Sequence, residues 1–365
     1  MALVCLGLLA YAQRKPFLLG QNDFVQLYAG AQLSGTPRLY EPEASKQVHE
    51  QALGGRLEHV YYSRLPFYAL FLRPLGALPY RVAYGFFQAL SFLAFAGFLW
   101  IWVPRRRELL LLISLFLPMW ANFLNGQDLA FTVLAAALAV EYLRKNKDFA
   151  AGLLLALCAV KFHLFVLTPL VLLIHRRWNA LAGGAAAGAA LIGLSFAADG
   201  LDWPRRYLAL LATPGFDHGT DYMPTLRGLL FGLGGTDVPA VMMALSTLVI
   251  AGVVFVAWKS DLEFGLAFAL VGGLLIGYHA YMHDCMVLLL AYVLVMERSK
   301  WVPLRAAVAL ALTPPLYLFL MEGKPWNVVA PIALIALLGL AAVHPAASVH
   351  WSGIEGRRIG RLRPA

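Results

Sequence analysis

Apolar residues in this chain come in long unbroken runs, and polar residues are confined to the gaps between them. The runs cover about residues 1–12, 66–103, 108–124, 129–143, 149–174, 180–198, 238–258, 264–282, 285–296, 302–320 and 327–343. A helix crossing a bilayer needs about 20 apolar residues. Each such segment must satisfy its own backbone hydrogen bonds within the lipid. The pattern therefore predicts an all-α, polytopic membrane protein.

The gaps fall into two classes. One is basic: Arg105-Arg106-Arg107, Arg144-Lys145-Asn146-Lys147, His175-Arg176-Arg177, Lys259, Arg298-Ser299-Lys300, and a tail at 344–365 with Arg357, Arg358, Arg361 and Arg363. The other is acidic or mixed: Asn125-Gly126-Gln127-Asp128, the 199–237 segment, His283-Asp284 and Glu322-Gly323-Lys324. By the positive-inside rule the basic class is cytoplasmic and the second faces outward. This alternation holds only if 149–174 crosses twice. Its halves are short, and Lys161-Phe162-His163 stands between them, so it is expected to be a hairpin with Lys161 and His163 near the outer face. The count is then about twelve transmembrane helices with both termini inside. Segment 1–12 is short for a span and reads as a truncated first helix or a start codon placed late; a cleaved signal peptide would need a small-residue site before Gln13.

Two outward loops are long, 13–65 and 199–237. In the first, Phe24, Leu27, Tyr28 and Ala31 recur at helical spacing, which predicts an interfacial amphipathic helix. A second, polar helix is expected to begin at Glu41-Pro42 and end at Gly54-Gly55. Without an internal repeat or a low-complexity linker, residues 1–365 read as one integral membrane domain.

Composition agrees with this picture. The chain is 61% hydrophobic and 13% charged with mean hydropathy +0.70, against about 25% charged residues in soluble domains. The net charge of +9 resides in short loops, which argues against nucleic acid as a partner and for membrane lipids. Cys5, Cys158 and Cys285 lie inside apolar runs with no common spacing, so neither a disulfide framework nor a zinc site is expected. No HExxH, P-loop or GxSxG motif is present, and no metal or other cofactor is expected.

Candidate chemistry clusters in the outward gaps. Asp23-Phe-Val-Gln26 matches a capping box, so Asp23 is either a helix cap or a base for an acceptor hydroxyl. Lys161 is costly inside an apolar run, about 2.5–3.5 kcal/mol on an insertion scale. It is either a snorkelling residue at a hairpin tip or a cation for a phosphate, and His163 accompanies it. Asn125-Gly126-Gln127-Asp128 reads most simply as a turn. His283 and Asp284, with His279 one turn earlier, are loop residues that could relay a proton or bind a sugar hydroxyl. Arg205 and Arg206 read as interfacial arginines, whereas Arg227 in Pro224-Thr-Leu-Arg-Gly is a candidate second phosphate contact.

The order of these pieces is similar to a known pattern: Asn22-Asp23-Phe24; Gly35-Thr-Pro-Arg-Leu-Tyr40; Tyr61-Tyr62-Ser-Arg64-Leu-Pro66, leading to Arg73-Pro74-Leu75; Asn125-Gly126-Gln127; a hairpin with Lys161; Thr225-Leu-Arg227-Gly228; and Tyr278-His279-Ala-Tyr-Met-His283-Asp284. Over about residues 20–290 the chain resembles glycosyltransferase family 87, bacterial polyprenyl-phosphate-mannose-dependent mannosyltransferases with the GT-C membrane fold. The resemblance implies transfer of a sugar, mannose by this likeness, from a polyprenyl-phosphate donor to a lipid or glycan acceptor at the outer face of the cytoplasmic membrane. It implies Asp23 as base, His283 as its assistant, and an inverting displacement. Lys161 and Arg227 are then nominated for the donor phosphate, and Tyr62, Arg64, Gln127, Asp128, His163, His279 and Asp284 for substrate contact. Asp128 stands where the family turn often has Asn, which bears on donor and acceptor identity. A transporter or flippase is the competing class, favoured by the broken hairpin with its cation; a related transferase using arabinose is the nearest rival enzyme. The transferase reading requires Asp23, Lys161, Arg227 and His283 to converge.

Overall fold

The computed structural model describes residues 7, 11, 14–55, 60–103, 107–214, 216, 219–234 and 238–344, with backbone alone at 107 and 108. Segment 1–12 as a whole, Cys5, Arg105, Arg106 and the basic tail with Arg357, Arg358, Arg361 and Arg363 lie outside the described residues. Among the described residues every regular element is helical.

The first loop carries α1 (Phe24–Leu33) and α2 (Pro42–Leu53), and the following apolar run breaks at Leu78-Pro79 into α3 (Pro66–Gly76) and α4 (Tyr80–Trp102). Then come α5 (Arg107–Ser114), α6 (Leu117–Leu124), α7 (Leu129–Arg144) and α8 (Asp148–Leu157), a tight turn at Cys158–Leu164, and α9 (Thr168–Ile174). The second half holds α10 (Trp178–Asp199), α11 (Trp203–Leu211), α12 (Leu226–Gly234), α13 (Pro239–Lys259) and α14 (Leu262–Ile276). A short tight helix at Met282–Val287 runs into α15 (Leu288–Arg298), and α16 (Val302–Ala311), α17 (Pro315–Met321) and α18 (Val329–Val343) close the order.

Among the described residues four helices are long and apolar enough to cross a membrane: α4, α10, α13 and the piece Trp326–Val343. A fifth is added if α16 and α17, bent by 46° at their break, form one span. Proline and polar interruptions cut the other apolar runs into shorter helices. Length and composition thus identify fewer spans than the twelve predicted from the runs.

The long helices set the polarity of the molecule. Helix α7 has Asp128 before its first residue and Arg144 at its last, about 24 Å apart at the α-helical rise. At the Arg144 end the basic gaps gather: Arg144 pairs with Glu263 at 2.7 Å and Glu297 at 2.8 Å, Arg298 with Asp261 at 2.8 Å, and Arg177 with Asp148 at 3.2 Å. The Arg177–Asp148 pair ties together the two ends of run 149–174. Its middle is the predicted break, where Lys161 adopts φ −125°, ψ 50°. The hairpin is therefore present, with its tip at the Asp128 end.

Glycine lets this hairpin pack. A Cβ on Gly152 would lie 2.0 Å from the Ala180 carbonyl, and one on Gly183 would lie 2.1 Å from the Phe149 carbonyl. Close backbone approach through small residues is how helices associate in lipid, where apolar burial gives no drive.

Helix α1 departs from expectation. Eight of its ten residues are buried, and Phe24 packs among the rings of Tyr80, Tyr84 and Phe87. It is an internal helix, because the first loop folds over the start of α4 as a second apolar core. Helix α2 buries one face only, through Ala44, Ser45, Val48 and His49.

Candidate active site

The site is built on the contact between the first loop and the turn before α7. Gly126, at φ +63°, lets that turn approach α1 so closely that a Cβ would sit 2.8 Å from both Asn22 Oδ1 and Phe24 Cβ. Asn22 completes the joint. Its amide donates to the Leu124 carbonyl at 2.9 Å and the Tyr84 hydroxyl at 3.1 Å, and its oxygen accepts from the Phe24 amide at 3.2 Å.

That last bond changes the role of Asp23. Asn22 reaches the first amide of α1, and Asp23 makes no side-chain cap. The Asp23 carboxylate, half-buried, instead accepts a 2.8 Å hydrogen bond from Gln127 Nε2. Gln127 is buried, and its oxygen accepts from Arg64 Nη2 at 3.3 Å and Lys161 Nζ at 3.5 Å. The amide orientation follows from its partners, since its nitrogen must face the carboxylate and its oxygen the cations.

Each cation is held by a buried carboxylate. Arg64 Nε lies 3.1 Å from Asp128 Oδ2, and Lys161 Nζ lies 2.7 Å from Asp284 Oδ1. Asp284 also accepts from the Tyr281 amide at 2.9 Å and stands 3.4 Å from His283 Nε2. Arg64 commits three of its five N–H groups, to Asp128, Gln127 and Ser63. Lys161 commits two of its three. Two donors on Arg64 and one on Lys161 remain for a ligand.

These groups wall a cavity of about 480 Å³ at the end of the molecule opposite the basic cluster. Of the predicted residues, Asp23, Arg64, Gln127, Lys161, His163, His279, His283 and Asp284 line it. The tight hairpin turn brings Lys161 and His163, and the loop 277–281 brings His279, whose imidazole is pushed down to about 4, chiefly by burial. Apolar wall is added by Val160, Phe162, Leu65 and Leu211. Among the described residues no group of His, Cys, Asp or Glu could hold a metal ion.

Three predicted positions do not reach the cavity. Tyr62 is fully buried, its hydroxyl donates to the Leu65 carbonyl at 2.9 Å, and its ring fills the space beside Gly30; it is a packing residue. Asp128 is fully buried behind Arg64. Arg227 stands behind the wall, its guanidinium 4.1 Å over the ring of Tyr278, which does line the cavity. Lys161 is where it was expected, yet its charge is already matched by Asp284. Arg206, expected as an interfacial arginine, is instead engaged within the protein, bridging Asp199 at 3.0 Å and the Pro37 carbonyl at 2.6 Å.

Sequence reading missed Tyr207, Phe216 and Tyr281 as wall residues. For Tyr207 and Phe216 the signal available was the aromatic content of 199–237, which gives no direction to any one ring; for Tyr281 it was the place between His279 and His283. It also missed that Asn22, not Asp23, does the capping.

The sequence model of glycosyltransferase family 87 matches residues 65–282. No curated protein and no solved structure matches the chain. The match spans more than half of the sequence and includes Gln127, Asp128 and Lys161 as well as the loop carrying His279. The chain belongs to glycosyltransferase family 87 and is a membrane glycosyltransferase.

Proposed function

We propose that this family 87 enzyme transfers a sugar, mannose in the first instance, from a polyprenyl-phosphate donor to a hydroxyl of a lipid- or glycan-linked acceptor. The cavity faces outward from the cytoplasmic membrane in this reading, since the basic loops gather at the other end. About twelve crossings in a GT-C-like arrangement, with the shorter helices as broken or tilted spans, and a single membrane domain belong to the same reading. The carrying observation is the Asp23 carboxylate on the wall of a cavity that also presents Arg64 and Lys161.

The step is an inverting displacement. The acceptor oxygen attacks the anomeric carbon as its proton passes to the Asp23 carboxylate. The carbon–oxygen bond to the phosphate breaks, and its electron pair leaves with the lipid phosphate. The uncommitted N–H groups of Arg64 and Lys161 stabilise that developing charge, a charge-assisted contact of the kind that strengthens in the transition state. Gln127 fixes the carboxylate, and His283 stands beside it on the same wall. The prenyl chain is accommodated by the apolar wall at Val160, Phe162 and Leu211. Because the donor arrives lipid-linked, the chemistry draws on no nucleotide-binding fold.

The test is transfer from a labelled polyprenyl-phosphate sugar by membranes carrying Asp23→Asn at matched protein level. Transfer should be lost. Unchanged transfer removes Asp23 as the base, and failure of the native enzyme with mannose but success with arabinose moves the donor assignment to the other sugar.

A further inference from the structure

A second cavity, of about 320 Å³, also borders Asp23. It shares Asp23, Tyr281 and His283 with the first and adds Asn125, Tyr222 and the end of α17 at Leu320 and Met321. Asp23, Tyr281 and His283 thus border both chambers, and the chambers differ in chemistry.

The first chamber contains Arg64 and Lys161. Among the described residues the second has no lysine or arginine in its wall, so an anion entering it would meet the Asp23 carboxylate with no counter-charge from them. What it does present is an amide at Asn125, two tyrosine rings and the Asp23 oxygens. The Tyr222 ring is 45% exposed and is seated against Gly323, where a Cβ would come within 3.2 Å of it. An exposed aromatic face beside an amide and a carboxylate matches a pyranose or furanose ring, whose C–H face stacks on the aromatic while its hydroxyls take the polar groups.

We infer that the chamber bounded by Asn125, Tyr222, Tyr281 and Met321 is the acceptor subsite, and that it takes an uncharged saccharide. The inference rests on the transferase reading for its direction of transfer, but the saccharide site stands on its own chemistry. With the acceptor there, its hydroxyl meets Asp23 where the two chambers share that residue. The proton goes to Asp23 and the oxygen bonds to the anomeric carbon of the donor in the first chamber, as the bond from that carbon to the phosphate oxygen breaks and its electron pair leaves with the lipid phosphate.

Binding tests the subsite without requiring turnover. The full chain in lipid nanodiscs is titrated with p-nitrophenyl glycosides of mannose, arabinose and glucose, with and without a polyprenyl phosphate. At least one glycoside should bind the native protein. Tyr222→Ala and Asn125→Ala should each weaken it about tenfold, the loss expected for one stacking or hydrogen-bonding contact of about 1.4 kcal/mol, and polyprenyl phosphate should not compete. Thermal unfolding like that of the native chain shows that each variant is folded. The inference is overturned if no glycoside binds, if both folded variants bind as the native protein does, or if polyprenyl phosphate competes, which would put the lipid phosphate in this chamber. Glycoside binding that persists in a protein unable to transfer sugar defeats the proposed function and leaves the subsite standing.

Discussion

Gln127→Met is the most informative single change at this site. Gln127 is buried, and its amide links the proposed base to both cations: Nε2 to Asp23 at 2.8 Å, Oε1 to Arg64 at 3.3 Å and to Lys161 at 3.5 Å. Methionine keeps the length and volume but neither donates nor accepts with comparable strength. A hydrogen bond to a charged group contributes about 1.5–3 kcal/mol, and the two longer contacts to the cations add less. If the Asp23 bond holds the carboxylate in its reactive orientation, its loss appears in the transition state. At about 1.4 kcal/mol per factor of ten, kcat should fall about ten- to a hundredfold. KM for the polyprenyl-phosphate donor should change less, because Arg64 and Lys161 keep their carboxylate partners Asp128 and Asp284. The assay is steady-state transfer in membranes, with protein quantified and donor and acceptor varied separately. Gln127→Glu sharpens it by placing a second carboxylate against Asp23, and should do worse than methionine. A kcat within about twofold of native for Gln127→Met, or a loss confined to donor KM, refutes the positioning role.

Other changes probe the framework. Lys161→Met strands Asp284 in a buried position and should lower stability by about 3–5 kcal/mol, whereas Lys161→Met with Asp284→Asn should recover part of that; equal melting of the two in detergent would deny the pair its structural role. Gly183→Val drives a side chain into the Phe149 carbonyl and should unfold or misassemble the α8–α10 contact, read as loss of the monodisperse peak in size exclusion; native behaviour would contradict the packing. The His279 imidazole sits at about 4, below the ordinary value near 6.5. The folded state therefore binds fewer protons than the unfolded state between those values, and stability falls as pH is lowered through that window and is level above it. His279→Gln should flatten the slope of melting temperature between pH 6.5 and pH 4.5, and an unchanged slope would assign it elsewhere.

Much of this arrangement was legible in the chain. Runs of apolar residues gave the helical membrane class, and the sign of the gaps separated the two ends, because charge placement obeys a rule that does not depend on tertiary contacts. The hairpin tip at Lys161 was legible because a lysine inside an apolar run must find a partner or water. What sequence could not supply was the identity of the partner. Lys161 meets Asp284, more than a hundred positions later, and Arg64 meets Asp128, so residues nominated for substrate partly satisfy one another. The capping pattern at Asp23-Phe-Val-Gln26 misled for a related reason. Local spacing favours Asp23 as cap, but the turn at Gly126 presses on α1, Asn22 takes the amide, and Asp23 is released to Gln127. Tyr62, nominated for substrate contact, lies off the cavity: its neighbours Tyr61 and Ser63 line it, and alternation along an extended segment turns the residue between them into the core.

On the proposed mechanism, the paired charges would let one site hold a carboxylate base beside a phosphate. Among the groups in the network, Asp23, Asp128 and Asp284 outnumber Arg64 and Lys161, and with the histidines neutral one negative charge is in excess. Asp128 and Asp284 are each bonded to a cation, so the excess resides at Asp23. A donor phosphate entering beside it would be repelled by that charge and attracted by the uncommitted donors of Arg64 and Lys161. In the proposed transfer Asp23 would take the acceptor proton, and the excess would be removed at the moment the phosphate oxygen gains negative charge. Repulsion in the ground state is thereby relieved in the transition state, which is the differential that accelerates a reaction. The buried pairs make this possible by fixing the two cations without neutralising every N–H they carry. An Asp284→Asn variant that retains the fold would free Lys161 to bind phosphate more tightly. On this reasoning it should show a lower donor KM together with a lower kcat, and a kcat that rises with tighter donor binding would break the argument.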